Sequence, residues 1–284
     1  MRNRIGRGPL CELPGVSRVA GSCRRRAAFS MVELMVVVAV VGALVSISVP
    51  ALSGSREAAR RVGCANNLRQ IGLALQAHHE QKQAFPMGGL EWRSGNDTKR
   101  RQLAWSAFLL PYLEQQALYD SLDLRQAFDS PANAVAASQV VSVYVCPSSR
   151  RGEARVEGRG PCDYGGIHGE RITSPNRPPK GIMLYDRAVR AAEVRDGLSS
   201  TLIVGEDSSW PDGQWINGRN VFDQAFAINA APAFENDIRS EHPGGAQGVF
   251  ADGAVRFLQS STDVRVLAGL CTRAGKEVLP AGAY

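Results

Sequence analysis

FSMVELMVVVAVVGALVSISVP, Phe29 to Pro50, is an apolar run with one carboxylate, Glu33, near its start. Extended to Leu52, still with no other charge, it would span about 36 Å as a helix at ~1.5 Å per residue, enough to cross a bilayer. A charge at membrane depth costs about 2.5–3.5 kcal/mol on insertion scales, so Glu33 needs a reason. Arg24, Arg25 and Arg26 stand just upstream, the arrangement of a basic segment kept in the cytoplasm while the apolar segment enters the membrane. A cleaved secretory signal is the rival reading, and SGS at 53–55 could pass for its end. Its apolar core is normally shorter, about 7–15 residues.

The charge balance of the whole chain agrees. Its 284 residues carry a formal net charge of +6, which first suggests a nucleic-acid partner. Residues 1–28 hold seven arginines against one glutamate, and the remaining residues carry 26 basic and 26 acidic side chains. The body is neutral, which excludes a nucleic-acid partner on charge grounds. Hydrophobic content of 44% and mean hydropathy of −0.16 are those of a globular protein. Cys11 and Cys23 belong to the leader, and Cys64, Cys146, Cys162 and Cys271 are left in a body that would sit outside the cytoplasm, where disulfides are permitted.

After Pro50, Ala59, Val62, Ala65, Leu68, Gly72 and Leu75 recur at spacings of three or four, while Arg56, Glu57, Arg60, Arg61, Arg69 and Gln70 fill the other positions. The spacing predicts an amphipathic helix to about Gln83, continuing the apolar one across a kink or short break at Pro50. Residues 105–122 predict a short helix, 140–149 (VVSVYVCPSS) and 201–204 buried strands, and 150–181 a loop. GVFADGAVRFL (248–258) predicts a hairpin with Asp252-Gly253 in a type I′ turn. Ala251 would oppose Ala254, Phe250 would oppose Val255, and Phe250, Val255 and Phe257 would share the core face. The fold class is α+β: a helical spine (29–52 in the membrane, 53–83 amphipathic) packed on an antiparallel sheet within a head reaching residue 284.

Phe29, Glu33 as the fifth residue from it, the valine- and alanine-rich run and Pro50 together resemble type IV prepilins and the pseudopilins of type II secretion. The resemblance implies cleavage by a prepilin peptidase between Ala28 and Phe29, with Ala28 where that family nearly always has glycine, and N-methylation of Phe29. It also implies that Glu33 of one subunit pairs with the Phe29 amine of its neighbour and sets the register of an assembly, which would explain a carboxylate in lipid. His242, nine residues and then Asp252-Gly253 resemble the prepilin-type processing-associated H-x9-D-G proteins, a family of obscure function found mainly in planctomycetes. CANNLRQIGLALQAHH (64–79), LLPYLEQ (109–115), VCPS (145–148), DGLSSTLIVGE (196–206) and HPGGAQGVFADGAVRFL (242–258) agree with that family in order.

The expected protein is single-pass in a bacterial inner membrane through residues 29–52, pilin-like, with its head in the periplasm or at the cell surface. Its partners would be lipid, the prepilin peptidase and other pilin-like subunits. It would be a structural or minor component of a pilus-like or secretion-like assembly, with no catalysis and no cofactor. The alternatives are an anchored binding module, for instance for glycans, and a hydrolase using His242, Asp252 and Glu206. His242 and Asp252 invite an acid/base or metal role, with Glu206 and Asp207 as further oxygen ligands. The bland reading makes both of them turn residues. A helix packed on a sheet favours Cys64–Cys146 as a disulfide, leaving Cys162–Cys271 as a second; four buried thiols are the alternative. No CxxC or His/Cys cluster along the chain suggests zinc. His78 and His79 read as a solvated helix end.

Overall fold

In the computed structural model residues 30–93 and 99–277 are described, without the side chains of 47–53. The cleavage pair Ala28–Phe29 therefore lies outside the described residues, as does the side chain of Pro50. The chain divides into two units, Met1–Ala51 and Leu52–Tyr284.

The long helix is there: α1 runs Met31–Lys82, with helical backbone through position 50. Of the kink or short break expected at Pro50, the break is absent: the helix runs through that position without interruption. At its start, the Ser30 hydroxyl accepts from the Val32 amide at 3.3 Å and the Glu33 carboxylate accepts from the Ser30 amide at 2.9 Å, a reciprocal capping box. Glu33 thus has a partner within its own chain. From Met31 to Val45 the large apolar side chains are exposed, for example Met31 at 76% and Val37 at 51%. Among the described residues no helix is long and apolar enough to cross a membrane; the proposed span 29–52 runs past the described side chains at both ends.

The second unit is an α+β body. Its five-stranded sheet has the order β5-β3-β4-β6-β7, from β3 (Tyr164–Glu170), β4 (Leu202–Glu206), β5 (Val221–Gln224), β6 (Gly245–Phe250) and β7 (Val255–Gln259). A two-stranded ladder pairs β1 (Gly89–Leu90) with β2 (Leu103–Ala104). The large sheet is mixed rather than antiparallel, since β5 lies parallel to β3. Both faces are covered. One apolar cluster contains Cys64, Leu68, Ile71 and Leu75 of α1 with Val204 and Val249. The other contains Ile167, Phe250 and Leu258 with Leu267 and Leu270 of a C-terminal helix, α5 (Val264–Leu270).

Several sequence-based expectations are corrected. Ala59 and Val62 are exposed, and the inward stripe is Cys64, Leu68, Ile71 and Leu75, spaced four, three and four. Residues 140–149 contain a 3-10 turn, Ser142–Tyr144, instead of a strand; their β-branched residues are buried by tertiary contact, which mimics a strand pattern. Residues 105–122 split into α2 (Trp105–Leu109), a 3-10 turn at Leu110–Leu113 and α3 (Gln116–Asp120). The predicted loop at 150–181 contains β3. That strand, YGGIHGE, lacks the β-branched signal because it lies close to its neighbours: a Cβ on Gly165 would fall 2.5 Å from the Phe222 ring.

The hairpin is also shifted. Val249, not Phe250, opposes Val255, and the Phe250 amide donates to the Ala254 carbonyl at 2.9 Å. Asp252 does not have the positive φ a type I′ turn demands, whereas Gly253 does, at +86°. The loop is therefore one residue longer than predicted, with Gly253 as its left-handed residue. Since a slip of one residue exchanges the faces of a strand, Val249, Val255 and Phe257 face α1, while Phe250 joins the opposite cluster.

Candidate functional site

The His242 of the H-x9-D-G pattern lies under α1 in the second unit, its side chain wholly buried. Its Nδ1 is 2.7 Å from Oε1 of Glu57 on α1. Its Nε2 is 3.4 Å from Oε1 of Glu206, the last residue of β4, and 3.7 Å from Sγ of Cys146. Cys146 is joined to Cys64 of α1 by a disulfide with Cα atoms 5.0 Å apart, so the favoured pairing is present. Four chain segments far apart in sequence thus meet at one imidazole.

Each group is positioned by its own element. Glu57 lies seven residues before Cys64, two turns along the same seam of the helix. Glu206 is turned towards the cluster by strand alternation, and its Oε2 accepts from the Gln247 amide at 3.1 Å. The Cys146 amide donates to Oδ2 of Asp163 at 2.9 Å, and the Ser149 hydroxyl and Arg151 bind the other oxygen of that carboxylate. Asp163 therefore fixes the loop that presents the sulfur. Behind His242, the Gln247 amide group donates to the Arg61 carbonyl at 2.8 Å, and the Arg61 guanidinium stacks 3.4 Å from the Phe257 ring centroid.

The two carboxyl groups differ electrostatically. Burial raises the Glu206 carboxyl to about 8 against the pull of the Gln247 amide. Burial also raises Glu57, but hydrogen bonds from His242 and Arg60 outweigh it and hold the group below the usual carboxylate range. Burial thus favours the neutral form of Glu206, while His242 and Arg60 favour the charged form of Glu57, on opposite edges of one ring. An imidazole donating from Nδ1 to Glu57 satisfies the shorter contact; the 3.4 Å approach to Glu206 is too long for a strong hydrogen bond.

At the other end of the pattern, Asp252 is exposed and its Oδ1 accepts from the Ala254 amide at 2.9 Å. Asp252 is bound to its own turn and not to His242, so the acid/base pair drawn from sequence does not form. Gly253 meets α1: a Cβ on Gly72 would sit 2.8 Å from the Gly253 carbonyl oxygen, and Gln76 donates to the Ala251 carbonyl at 2.7 Å. His242 and Gly253 therefore hold α1 at two points, with the disulfide between them. The arrangement is a clasp.

The remaining candidates fall elsewhere. Asp207, on the opposite side of the strand from Glu206, pairs with buried Arg239 at 3.2 Å. Cys162 and Cys271 are free and buried; they belong to the clusters on opposite faces of the sheet, which rules out the second disulfide. Burial raises the Cys162 thiol to about 12. His78 and His79 are half-buried, with Nδ1 of His78 3.0 Å from the Ala84 carbonyl and His79 stacked on Phe85 at 4.8 Å.

One donor atom from each of Cys64, Cys146, Glu206 and His242 lies within 4.8 Å of the other three. Spacing along the chain concealed this Cys/His/Glu cluster because its members are brought together only by the sheet. While the sulfurs are joined to each other they are not thiolates, and thiolate is the form that binds metal. The signal that could have found Glu57 was the seam itself, continued back from Cys64 by one heptad.

Comparison with known proteins follows this division of the chain. A model described as prokaryotic N-terminal methylation motif matches residues 23–49, which include Ala28, Phe29 and Glu33. A model described as protein of unknown function (DUF1559) matches residues 54–265, which include both points of the clasp. No curated protein and no solved structure matches the chain. With most of its length covered, the chain belongs to the DUF1559 family of proteins of unknown function, preceded by a prepilin-type methylation motif.

Proposed function

We propose that the protein is a pilin-like subunit, processed by a prepilin peptidase and held in a bacterial inner membrane by residues 29–52, with its head outside the cytoplasm as a structural or minor component of a pilus-like or secretion-like assembly. The observation that carries this reading is the exposed apolar surface from Met31 to Val45. Contiguous apolar area of that kind is not left in water; lipid covers it before assembly, and the same helices of neighbouring subunits cover it afterwards. The clasp has a mechanical part in this reading, since it makes residues 57–76 integral to the head and prevents the helix from peeling away.

No turnover is part of the proposal. His242 has no exposed side-chain surface, and a general acid or base must reach substrate directly or through one water. In an assembly Glu33 pairs with the Phe29 amine of the next subunit, replacing its bond to the Ser30 amide. The test is the N-terminus and intact mass of membrane-associated protein from its native cells. A chain beginning at Phe29, N-methylated, is expected. An intact leader, or a cut near Ser55, overturns the reading and turns attention to an anchored or secreted binding module.

A further inference from the structure

We propose that the chain with Cys64 and Cys146 as thiols binds one Zn2+ through these two sulfurs, His242 Nε2 and one oxygen of Glu206. The site stands independently of the assembly reading above. A tetrahedral zinc ion with bonds of about 2.0–2.3 Å has ligand atoms about 3.3–3.8 Å apart. Observed separations are 3.4 Å from His242 Nε2 to Glu206 Oε1, 3.7 Å from Nε2 to Cys146 Sγ and 3.0 Å from that sulfur to Oε1. Once the sulfur–sulfur bond is broken, side-chain rotation supplies the last adjustment.

A disulfide by itself needs neither an imidazole nor a carboxyl beside it, and burying both is costly. The surroundings also match what metal ligands require. The contact of His242 Nδ1 with Glu57 at 2.7 Å leaves Nε2 on the side of Cys146 Sγ and Glu206 Oε1, the carboxylate–histidine–metal relay that fixes ring orientation. Glu206 Oε2 is engaged by the Gln247 amide, which leaves Oε1 towards the same point. Two thiolates and an imidazole select zinc over calcium or magnesium. All four donors are buried, so the site is closed and structural, with no open position for substrate.

The chemistry balances with a dithiol or phosphine reductant. Two electrons and two protons convert the disulfide to two thiols while the dithiol becomes a disulfide, or the phosphine with water becomes its oxide; zinc then displaces to solvent the two thiol protons and the proton held by the Glu206 carboxyl. In either redox state α1 stays joined to the loop at Cys146, by a covalent bond or through the metal.

The test uses the full chain in detergent, with Cys11 and Cys23 changed to serine and the disulfide reduced by a phosphine. Bound zinc is measured after gel filtration, and Co2+ serves as the spectroscopic probe. Expected are one zinc per reduced chain, tetrahedral cobalt bands with thiolate charge transfer, and none of these in the oxidised chain. Glu57→Gln should weaken zinc binding by about 10–100-fold and His242→Asn, which removes a direct ligand, by more, while Cys162→Ser leaves it unchanged. If reduction unfolds the chain, zinc must restore its circular dichroism. Absence of saturable binding or of that recovery, equal binding by the oxidised chain, six-coordinate cobalt, or undiminished binding in His242→Asn or Cys64→Ser overturns the site.

Discussion

Replacing His242 by alanine tests the clasp most directly. The substitution removes the 2.7 Å contact with ionised Glu57 and empties a site with no solvent access. It also leaves the carboxyl of Glu206, itself wholly buried, without the imidazole beside it. Breaking one partner of a buried pair costs about 3–5 kcal/mol. Glu57 is 22% exposed in its side chain and also bonds Arg60, so Glu57→Ala, which can admit water, should cost about 1–2 kcal/mol. The double mutant should cost little more than His242→Ala alone, giving a coupling of about 1–2 kcal/mol. Asp252→Ala removes a single exposed turn bond and should cost about 0.5 kcal/mol. Urea unfolding of the full chain in detergent, with the disulfide intact, gives all four values. The reasoning fails if Asp252→Ala costs as much as His242→Ala, or if the Glu57 and His242 effects add within about 0.3–0.5 kcal/mol, as independent sites do.

Other parts of the architecture make their own predictions. Gly72→Ala gains about 1 kcal/mol of helix propensity but places a Cβ 2.8 Å from the Gly253 carbonyl; overpacking at about 1–3 kcal/mol should make the net effect a loss of about 1 kcal/mol, and a rise in melting temperature would show that the helix does not dock there. Removing the Cys64–Cys146 link, which closes a separation of 82 residues, should cost about 4–5 kcal/mol on the chain-entropy account. In alkylation mapping, Cys162 and Cys271 should react on denaturation without reduction, and a peptide linking them would contradict their placement on opposite faces. Asp237 is buried and raised by burial to about 7. Its folded-state proton contributes stability that is complete below the unfolded value of about 4 and is lost as pH rises through about 7. Asp237→Asn should therefore flatten the decline in stability between those limits, and an unaltered slope would exclude this group as its source.

Much of this was readable in the sequence where the signal was local. The helix ended within a residue of its expected place, at Lys82, because the apolar period stops there and AFP follows. The Cys64–Cys146 link is present, although the strand expected to end at Cys146 does not form; only the cysteine on the helix stripe stands where the sequence placed it. Where the signal depended on neighbours, it misled. Val141, Val143 and Val145 look like a strand but are buried as a turn, pinned by contacts such as the 2.8 Å bond from Asn67 to the Val145 carbonyl. β3 was missed because its glycines answer to the Phe222 ring rather than to strand propensity. The turn at Asp252-Gly253 was found, yet its type was not, and one residue of register put Phe250 on the wrong side of the sheet. At the site itself, of the acids named with His242 only Glu206 lies at the ring; Asp252 is near in sequence but not in space, Asp207 pairs with Arg239, and Glu57 went unnamed although it makes the shortest contact.

The two contacts of the clasp make the motif a measuring device. Glu57 and Gly72 are 15 residues apart on α1, about 22 Å at ~1.5 Å per residue, and β6 must bridge that distance between His242 and its turn. The nine residues of the pattern are therefore a length standard. One residue added to the helix between positions 57 and 72 would rotate the two contacts apart by about 100°, and one added within β6 would carry the turn past its glycine. Either insertion should be tolerated only with a matching change in the other.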